Sequence, residues 1–361
     1  MRIAQVAPLY ESVPPKLYGG TERVVSYLSE ELVRQGHDVT LFASGDSETS
    51  AHLVACCAES LRQKGDCFDQ LARHVVMIEQ VFRMAQRFDI IHFHIDYLHF
   101  PMSHWQSTPQ VTTLHGRLDI PDPEPLYGAF PEVPLISVSD AQRAPLPRVN
   151  WQGTVHHGLP PDAYTFRPAH AGYLAFLGRI SPEKRVDRAI EIARAAGLPI
   201  KVAAKIDRQD RAYYEQDVKP LFSLPGVDYV GEIGEREKDD FLGGAAALLF
   251  PIDWPEPFGL VMIEAMACGT PVVAWRGGSV EEVMEDGVSG FVVDTLGEAV
   301  RAVERVSSLD RRGVRAVFDR RFTADRMARE YLRIYWRLLK GHTPDQIEDA
   351  RRKARLSSDA A

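Results

Sequence analysis

The stretch Pro251-Ile-Asp-Trp-Pro-Glu-Pro-Phe-Gly-Leu-Val-Met-Ile-Glu264 is the most informative part of this sequence. It places two carboxylates, Glu256 and Glu264, eight residues apart. Pro257 favours an extended Glu256 and cannot lie inside a helix, whereas residues 259–268 can form one. The pattern therefore predicts Glu256 on a loop and Glu264 inside the helix that follows. Two acids placed in this way would contact different points of one extended ligand.

The same stretch resembles the Glu-x7-Glu signature of retaining, nucleotide-sugar-dependent glycosyltransferases of the GT-B fold, in particular family 4 (glycosyl transferases group 1). The Pro-Glu-Pro-Phe-Gly context and the Ala-Cys-Gly-Thr-Pro-Val-Val continuation make the match specific. Further matching pieces near residues 19, 115 and 179 extend it over most of the chain. The resemblance implies an α/β chain of two Rossmann-like, doubly wound parallel-sheet domains facing a central cleft.

Length and composition agree with a two-domain globular protein. The chain has 361 residues, of which 45% are hydrophobic and 25% charged, and a net charge of −8. This charge does not favour a nucleic-acid partner, and no apolar run is long enough to predict a transmembrane segment. The apolar run at the start predicts a first strand rather than a signal peptide. Peripheral contact with a membrane stays open.

The cysteines do not predict a metal site or a disulfide framework. Cys56 and Cys57 are adjacent, and neither Cys67 nor Cys268 completes a zinc-binding spacing. Reduced thiols are typical of cytoplasmic proteins, so we expect a cytoplasmic location.

Strand-like and helical patterns alternate in both halves, which predicts parallel sheets covered by helices. In the first half we predict strands over 3–7, 39–43, 90–94, 111–115 and 135–139, with helices over 21–35 and 71–88. In the second half we predict strands over 173–177, 200–204, 227–230, 247–250, 271–274 and 290–293. The helices predicted between them span 186–196, 212–218, 235–243, 259–268, 279–284 and 296–306.

These patterns predict four parts of the chain. Residues 1–160 form an N-terminal Rossmann-like acceptor domain, and residues 171–322 form a C-terminal Rossmann-like domain for the nucleotide-sugar donor. A proline-rich linker lies between them. Residues 323–340 form a last helix, which the resemblance directs back to the N-terminal domain, and residues 341–361 form a charged tail. Loops over 8–18, 44–70 and 117–133 are expected to contact the acceptor.

Gly19 and Gly20 lie in the sequence Tyr-Gly-Gly-Thr-Glu-Arg, just before a predicted helix. Glycines let the backbone approach a ligand closely, Thr21 could cap the helix, and a helix N-terminus attracts anions. A plain turn is the alternative. The loop lacks the Gly-x-Gly-x-x-Gly pattern of dinucleotide-binding proteins.

Arg179 and Lys184 follow a predicted strand of the second sheet, where open α/β sheets bind ligands. Their charges can bind phosphate oxygens, although two solvated surface cations are the alternative. The chain contains no Asp-x-Asp, the pair with which metal-dependent sugar transferases hold a divalent ion. We therefore expect fixed cations to stabilise the leaving group, with no metal and no cofactor.

Histidines follow two strands of the first domain. His115 ends one strand, which favours a ligand-facing position over a purely structural one. His92, His94 and Asp96 alternate along another, so they could share one face as metal ligands. Zinc needs more converging ligands and supporting groups, so the end of a strand on the acceptor side is the favoured interpretation.

The resemblance also implies individual roles. Glu256 and His115 are expected to contact the transferring sugar as catalytic residues, and Glu264 to bind the donor ribose. The backbone of Phe258, Gly259 and Leu260 would line the diphosphate and sugar, and Gly19, Gly20, Arg179 and Lys184 would bind the donor. Retention in this family is usually described as front-face attack, in which the leaving phosphate accepts the acceptor's proton.

Two further hypotheses stay open at this point. One is another sugar reaction on the same fold, such as epimerisation of a nucleotide sugar or phosphorolysis. A phosphorylase would need pyridoxal phosphate, and no lysine of the sequence is a good anchor for it. The other is a sensor that binds a sugar nucleotide without turnover. The acceptor, whether saccharide, lipid-linked or small molecule, is not determined by the sequence, nor are the donor sugar and base.

Overall fold

The computed structural model describes residues 1–62 and 67–340, so the predicted tail over 341–361 lies outside the described residues. The chain divides into two compact units. Unit 1 contains Met1–Val138, Arg143–His156 and the chain from Ala324, and unit 2 contains Ser139–Gln142 and His157–Thr323. In the described ranges no helix combines the length and the apolar character that crossing a membrane requires.

Each unit has one parallel sheet. Within the described residues the unit 1 sheet has seven strands in the order β3-β2-β1-β4-β5-β6-β7, and the unit 2 sheet has six in the order β10-β9-β8-β11-β12-β13. The strands are β1 (Arg2–Val6), β2 (Asp38–Ser44), β3 (His52–Cys57), β4 (Ile90–Phe93), β5 (Gln110–Thr113), β6 (Leu135–Ser137), β7 (Trp151–Thr154), β8 (Tyr173–Arg179), β9 (Ile200–Lys205), β10 (Val227–Gly231), β11 (Ala245–Phe250), β12 (Val272–Trp275) and β13 (Gly290–Val293).

Helices separate most of these strands along the chain. They are α1 (Gly20–Arg34), α2 (Gln70–Arg83), α3 (Phe100–Ser103), α4 (Glu124–Ala129), α5 (Asp140–Arg143), α6 (Val186–Ala195), α7 (Arg211–Tyr213), α8 (Glu235–Gly243), α9 (Leu260–Ala267), α10 (Val280–Val283), α11 (Leu296–Arg305), α12 (Arg311–Arg321) and α13 (Ala324–Lys340). The doubly wound α/β architecture predicted from the alternation is confirmed.

Apolar residues are buried on both faces of the unit 1 sheet. Leu41 and Phe42 are neighbours on β2 and point to opposite faces, yet both are fully buried. Phe42 belongs to a cluster with Met77 and Val81 of α2, and Leu41 to one with Val25 of α1. Burial of both faces is what a parallel sheet requires.

Helix α13 belongs to unit 1 and packs against α1. Its buried residues Met327, Tyr331, Ile334 and Tyr335 recur at helical spacing and form an apolar stripe. Its two tyrosines bring hydroxyl groups into this interior, where they need hydrogen-bond partners.

Some elements differ from the sequence-based expectation. Strand β3 lies inside the range predicted as a loop over 44–70, and no strand was predicted at the position of β7. Both are edge strands with few fully buried side chains. Helix α12 was also missed, because seven arginine, aspartate and glycine residues interrupt its short apolar stripe. The predicted helix over 212–218 is a shorter helix, α7, followed by a π turn over Tyr214–Val218.

Candidate active site

The order of strands in the unit 2 sheet reverses between β8 and β11, which lie side by side. Ligands of open α/β sheets bind outside the carboxyl ends of the strands at such a reversal. Arg179 is the last residue of β8, and the loop that carries Glu256 follows β11. The fold therefore places these two predicted site residues after neighbouring strands.

Glu256 is held by two side chains. Its Oε2 atom accepts a hydrogen bond of 2.8 Å from the indole Nε1 of Trp254. The same atom forms an ion pair with the ammonium of Lys184. The same ammonium lies 4.5 Å from the centre of the Trp254 ring, a cation–π distance. Since Glu256 is only 8% exposed, these partners compensate a carboxylate that has lost most of its water.

Backbone contacts fix the loop around Glu256. The Ser279 amide donates to the carbonyl of Glu256 at 3.0 Å, and the Ser279 hydroxyl donates to the carbonyl of Phe258 at 2.8 Å. Gly278 has φ +52°, and a Cβ atom there would overlap the backbone of Glu256. A glycine is therefore required at 278 for Glu256 to keep its position.

Helix α9 starts directly after this loop. Gly259 precedes its first residue with φ +78°, and a Cβ atom there would lie 2.7 Å from the methyl group of Met262. The Phe258 side chain is buried, with its ring 4.7 Å from that of His157. Phe258 can therefore offer a ligand its backbone but not its ring.

Glu264 lies inside α9, as the sequence predicted, and is 3% exposed. Its Oε1 atom is 3.1 Å from the ammonium of Lys238, which α8 supplies. Sequence reasoning missed Lys238, because it stands among charged residues of a polar helix and nothing in its surroundings distinguishes it.

Arg179 is surrounded by carboxylates. It forms an ion pair with Glu183, its Nε lies 3.3 Å from Asp210, and its Nη1 lies 3.8 Å from Asp207. Burial raises the pKa of Asp210, although the guanidinium of Arg179 opposes that shift. A phosphate that binds Arg179 would exchange one set of anionic partners for another.

The remaining predicted residues are in unit 1. His115 follows β5 by two residues and is half-buried, and its Nε2 lies 2.9 Å from Nδ1 of His94. Burial lowers the pKa of His115 to about 3, so its imidazole is neutral at physiological pH. The contact with His94 was not anticipated from the sequence.

His92 and His94 do not form the metal site that was considered. The ring nitrogens of His92 bind Tyr335 and Thr113, and those of His94 bind Gln5 and His115. Both imidazoles thus use their nitrogens for hydrogen bonds inside unit 1. Across residues 1–62 and 67–340, no three His, Cys, Asp or Glu side chains are grouped as metal ligands.

The Gly19-Gly20 segment leads into α1. Gly19 is the N-cap and no side chain caps the helix, so the expectation that Thr21 would do so is wrong: Thr21 lies inside the first turn. A Cβ atom on Gly19 would lie 2.7 Å from Cβ of Pro15. Glu22, which follows Thr21 in this motif, is buried, and burial raises its pKa to about 7.

Some of the predicted site residues contact one another directly, whereas others only belong to the same unit. Lys184 contacts Glu256, and Leu260 and Glu264 lie on helix α9, which Gly259 precedes. Arg179 has its own group of carboxylates in the same unit. Gly19, Gly20 and His115 belong to unit 1.

Comparison with known proteins assigns the chain to a family. The family "Glycosyl transferases group 1" matches residues 166–315, and "Glycosyltransferase Family 4" matches residues 18–152. The D-inositol 3-phosphate glycosyltransferase of Mycolicibacterium smegmatis is 26% identical over 329 residues, which cover 76% of this chain and 75% of that protein.

Solved structures agree with this match. AviGT4, a glycosyltransferase involved in avilamycin A biosynthesis, is 25% identical with a TM-score of 0.73, covering 94% of this chain and 98% of its own. Anabaena HepE, solved in complex with UDP and glucose, is 18% identical with a TM-score of 0.70, covering 92% and 98%.

The chain belongs to the group 1 glycosyltransferases of the GT-B fold. It is a glycosyltransferase, and these matches do not favour an epimerase or a sensor without turnover.

Proposed function

We propose that this glycosyltransferase transfers a sugar from a nucleotide diphosphate sugar to an acceptor, with retention of anomeric configuration and without a metal or another cofactor. The observation that carries the proposal is the Lys184–Glu256–Trp254 cluster at the strand reversal of unit 2, with the Lys238–Glu264 pair on the helix that follows. Residues 171–322 are the proposed donor domain, and residues 1–160 with the helix over 323–340 serve the acceptor.

Cations of unit 2 bind the diphosphate in this proposal. Arg179 presents a forked guanidinium and Lys184 a compact ammonium, and both are paired with carboxylates in this structure. A diphosphate carries more charge than a carboxylate and can replace these partners. The backbones of Gly19, Gly20 and of residues 258–260 are proposed to contact the same donor.

Glu264 is proposed to bind the ribose hydroxyls. A carboxylate accepts hydrogen bonds from two adjacent hydroxyl groups, and Lys238 balances its charge on the other side. Loss of this contact would weaken donor binding without affecting the bond that breaks.

Glu256 and His115 are proposed to contact the sugar while it transfers. The bond between the anomeric carbon and the phosphate oxygen breaks, a bond to the acceptor oxygen forms on the same face, and the acceptor's proton passes to the leaving phosphate. Positive charge grows on the sugar during this step, and a fixed carboxylate stabilises it. Oε2 of Glu256 already accepts from Lys184 and Trp254, which favours such an electrostatic role over a nucleophilic one.

The relatives suggest where to look for substrates. The mycobacterial relative is named for transfer to inositol 3-phosphate, and HepE was solved with UDP and glucose. Uridine diphosphate sugars are therefore the first donors to test, and saccharides, lipid-linked saccharides and small polyols the first acceptors. The cytoplasmic location expected from the cysteine pattern remains part of this proposal.

A panel of nucleotides tests the proposal. A nucleotide at about 100 times its dissociation constant should stabilise the protein by about 2.7 kcal/mol, so thermal shifts rank UDP, GDP, ADP and their sugars. The best donor is then incubated with acceptors, and sugar release and transfer are followed by mass spectrometry. Thermal shifts with neither hydrolysis nor transfer would support a sensor, and epimerised donor would support the other alternative.

A further inference from the structure

A continuous row of hydrogen bonds runs through unit 1 from the end of β5 to α13. The histidine–tyrosine row consists, in order, of His115, His94, Gln5, Tyr335, His92, Thr113 and Tyr331. The successive donor–acceptor distances are 2.9, 2.8, 3.2, 2.6, 2.7 and 3.1 Å. Six of the seven residues are buried, and His115 is the half-buried end.

Gln5 sets the direction of this row because its two amide atoms are not equivalent. Its oxygen can only accept, so Nε2 of His94 must carry the hydrogen of their 2.8 Å bond. A neutral imidazole has one N–H, so Nδ1 of His94 accepts. The 2.9 Å contact with His115 is then donated by Nε2 of His115. Nδ1 of a neutral His115 therefore holds a lone pair, and its partners must be donors.

The other half of the row has the same direction. The Gln5 amide nitrogen donates to the Tyr335 hydroxyl, so the hydrogen of Tyr335 goes to Nδ1 of His92. Nε2 of His92 then donates to Thr113, and Thr113 donates to Tyr331. With Gln5 in this orientation, every hydrogen in the row has an acceptor. If the Gln5 amide were reversed, every bond in the row would have to reverse with it, and so would the tautomer of His115.

Burial keeps His92, His115 and the two tyrosines of the row neutral. It lowers the pKa of His92 well below its ordinary value, lowers that of His115, and raises that of Tyr335. The rings of His92 and His115 therefore each hold one hydrogen at physiological pH, and the question for His115 is which nitrogen carries it.

We propose that Gln5, His94 and Tyr335 are positioning residues that fix the tautomer of His115, with hydrogen on Nε2 and a lone pair on Nδ1. The inference rests on the proposed contact of His115 with the transferring sugar. His115 then accepts a hydrogen bond from a hydroxyl group through Nδ1 and does not act as a general acid. Helix α13, remote in sequence from His115, takes part in this through Tyr335.

Nuclear magnetic resonance of the full chain with ¹⁵N-labelled histidine tests the tautomer directly. Two-bond ¹H–¹⁵N spectra distinguish protonated from unprotonated ring nitrogens, and the His115→Asn variant assigns the signals. We expect Nε2 protonated and Nδ1 unprotonated. Protonation of Nδ1 in the wild-type protein would overturn the proposal and leave the transferase assignment intact. Full turnover of His115→Asn would instead remove His115 from the proposed function, whatever its tautomer.

Two buried tyrosines, Tyr335 inside the row and Tyr173 outside it, give a matched pair of variants. Tyr335→Phe removes the acceptor of the Gln5 amide, so the amide can turn over and His115 should populate both tautomers. Turnover should then fall roughly three- to tenfold, the effect of one neutral hydrogen bond, with donor affinity nearly unchanged. Tyr173→Phe deletes a buried hydroxyl that donates to the carbonyl of Phe241, outside the row, and should leave the tautomer unchanged. An equal effect of both variants, or no effect of Tyr335→Phe, would contradict the proposal.

Discussion

Polar side chains beside the two sheets are buried in different ways. In unit 1 the histidine–tyrosine row holds neutral groups, each with one donor and one acceptor in sequence. In unit 2 the buried carboxylates Glu256 and Glu264 are each paired with a lysine. A neutral row can fix which atom donates but brings no charge. An ion pair brings charge that a charged ligand can exchange. The comparison favours the proposed roles, in which unit 1 orients hydroxyl groups and unit 2 binds a diphosphate.

The charge of Glu256 should produce the largest effect. Glu256→Gln keeps the size of the side chain but removes the charge that stabilises the transferring sugar. Turnover should fall about 10²–10³-fold, with a much smaller change in donor affinity. Single-turnover rates and calorimetry on the folded variant measure both. Glu281→Gln changes an exposed carboxylate paired with Arg276 and should keep the wild-type rate. Full turnover of Glu256→Gln would remove the catalytic assignment.

Glu22 tests whether unit 1 holds its buried groups neutral. Its pKa is raised from 4.5 to about 7, chiefly by burial, with Arg62 opposing the shift and Glu11 adding to it. At pH values between 4.5 and 7, Glu22 keeps its proton in the folded state but has lost it in the unfolded state. Stability therefore falls as pH rises through this window, by about 3 kcal/mol in total.

Urea unfolding at pH 5 and pH 8 measures this loss. Glu22→Gln cannot ionise, so its stability relative to wild type should increase between the two pH values. Glu79→Gln, an exposed carboxylate paired with Arg83, should show no such change. Parallel pH profiles of wild type and Glu22→Gln would mean that Glu22 is already ionised in the folded protein.

Arg179 and Lys184 test the exchange of charge in unit 2. Arg179→Ala and Lys184→Ala each remove charge-assisted contacts, so nucleoside diphosphate binding should weaken by about 1.5–3 kcal/mol. Binding of the bare nucleoside should change little. Isothermal titration with both ligands gives the difference, and Arg276→Ala removes an exposed cation as the control. Equal losses for nucleoside and diphosphate would place both residues away from the phosphates.

Glu264 should show a smaller effect that depends on the ribose. Glu264→Gln keeps an acceptor oxygen but turns charge-assisted contacts into neutral ones, which should cost about 1 kcal/mol of affinity. A 2′,3′-dideoxy nucleotide lacks the hydroxyl groups, so its affinity should be the same for both proteins. A similar loss with the dideoxy nucleotide would show that the variant disturbs the site through Lys238 instead.

Chelation should have no effect. Fixed cations replace a metal in the proposed site, so activity after treatment with EDTA should equal that of the untreated protein. Recovery of lost activity on addition of manganese or magnesium would mean that the diphosphate site includes an ion.

The sequence predicted elements that bury apolar residues on a regular spacing. Helices α1 and α13 are confirmed nearly to the residue, because their stripes are complete. Edge strands β3 and β7 were missed because a strand with few buried positions leaves little pattern. Motifs predicted Glu256 on its loop and Glu264 on its helix correctly. They could not predict the contact of Lys238 with Glu264 or the histidine–tyrosine row. The first joins residues 26 positions apart, and the Gln5–Tyr335 bond of the row joins residues 330 positions apart.

Trp254 gives the proposed donor site a fluorescence signal of its own. Its indole N–H is bound to a carboxylate and an ammonium lies over its ring, and both neighbours rearrange if a diphosphate takes Lys184. The chain has five tryptophans, so replacing the other four by phenylalanine would leave one emitter at this position. Donor association could then be timed by stopped-flow fluorescence with unlabelled nucleotides, before any acceptor is known.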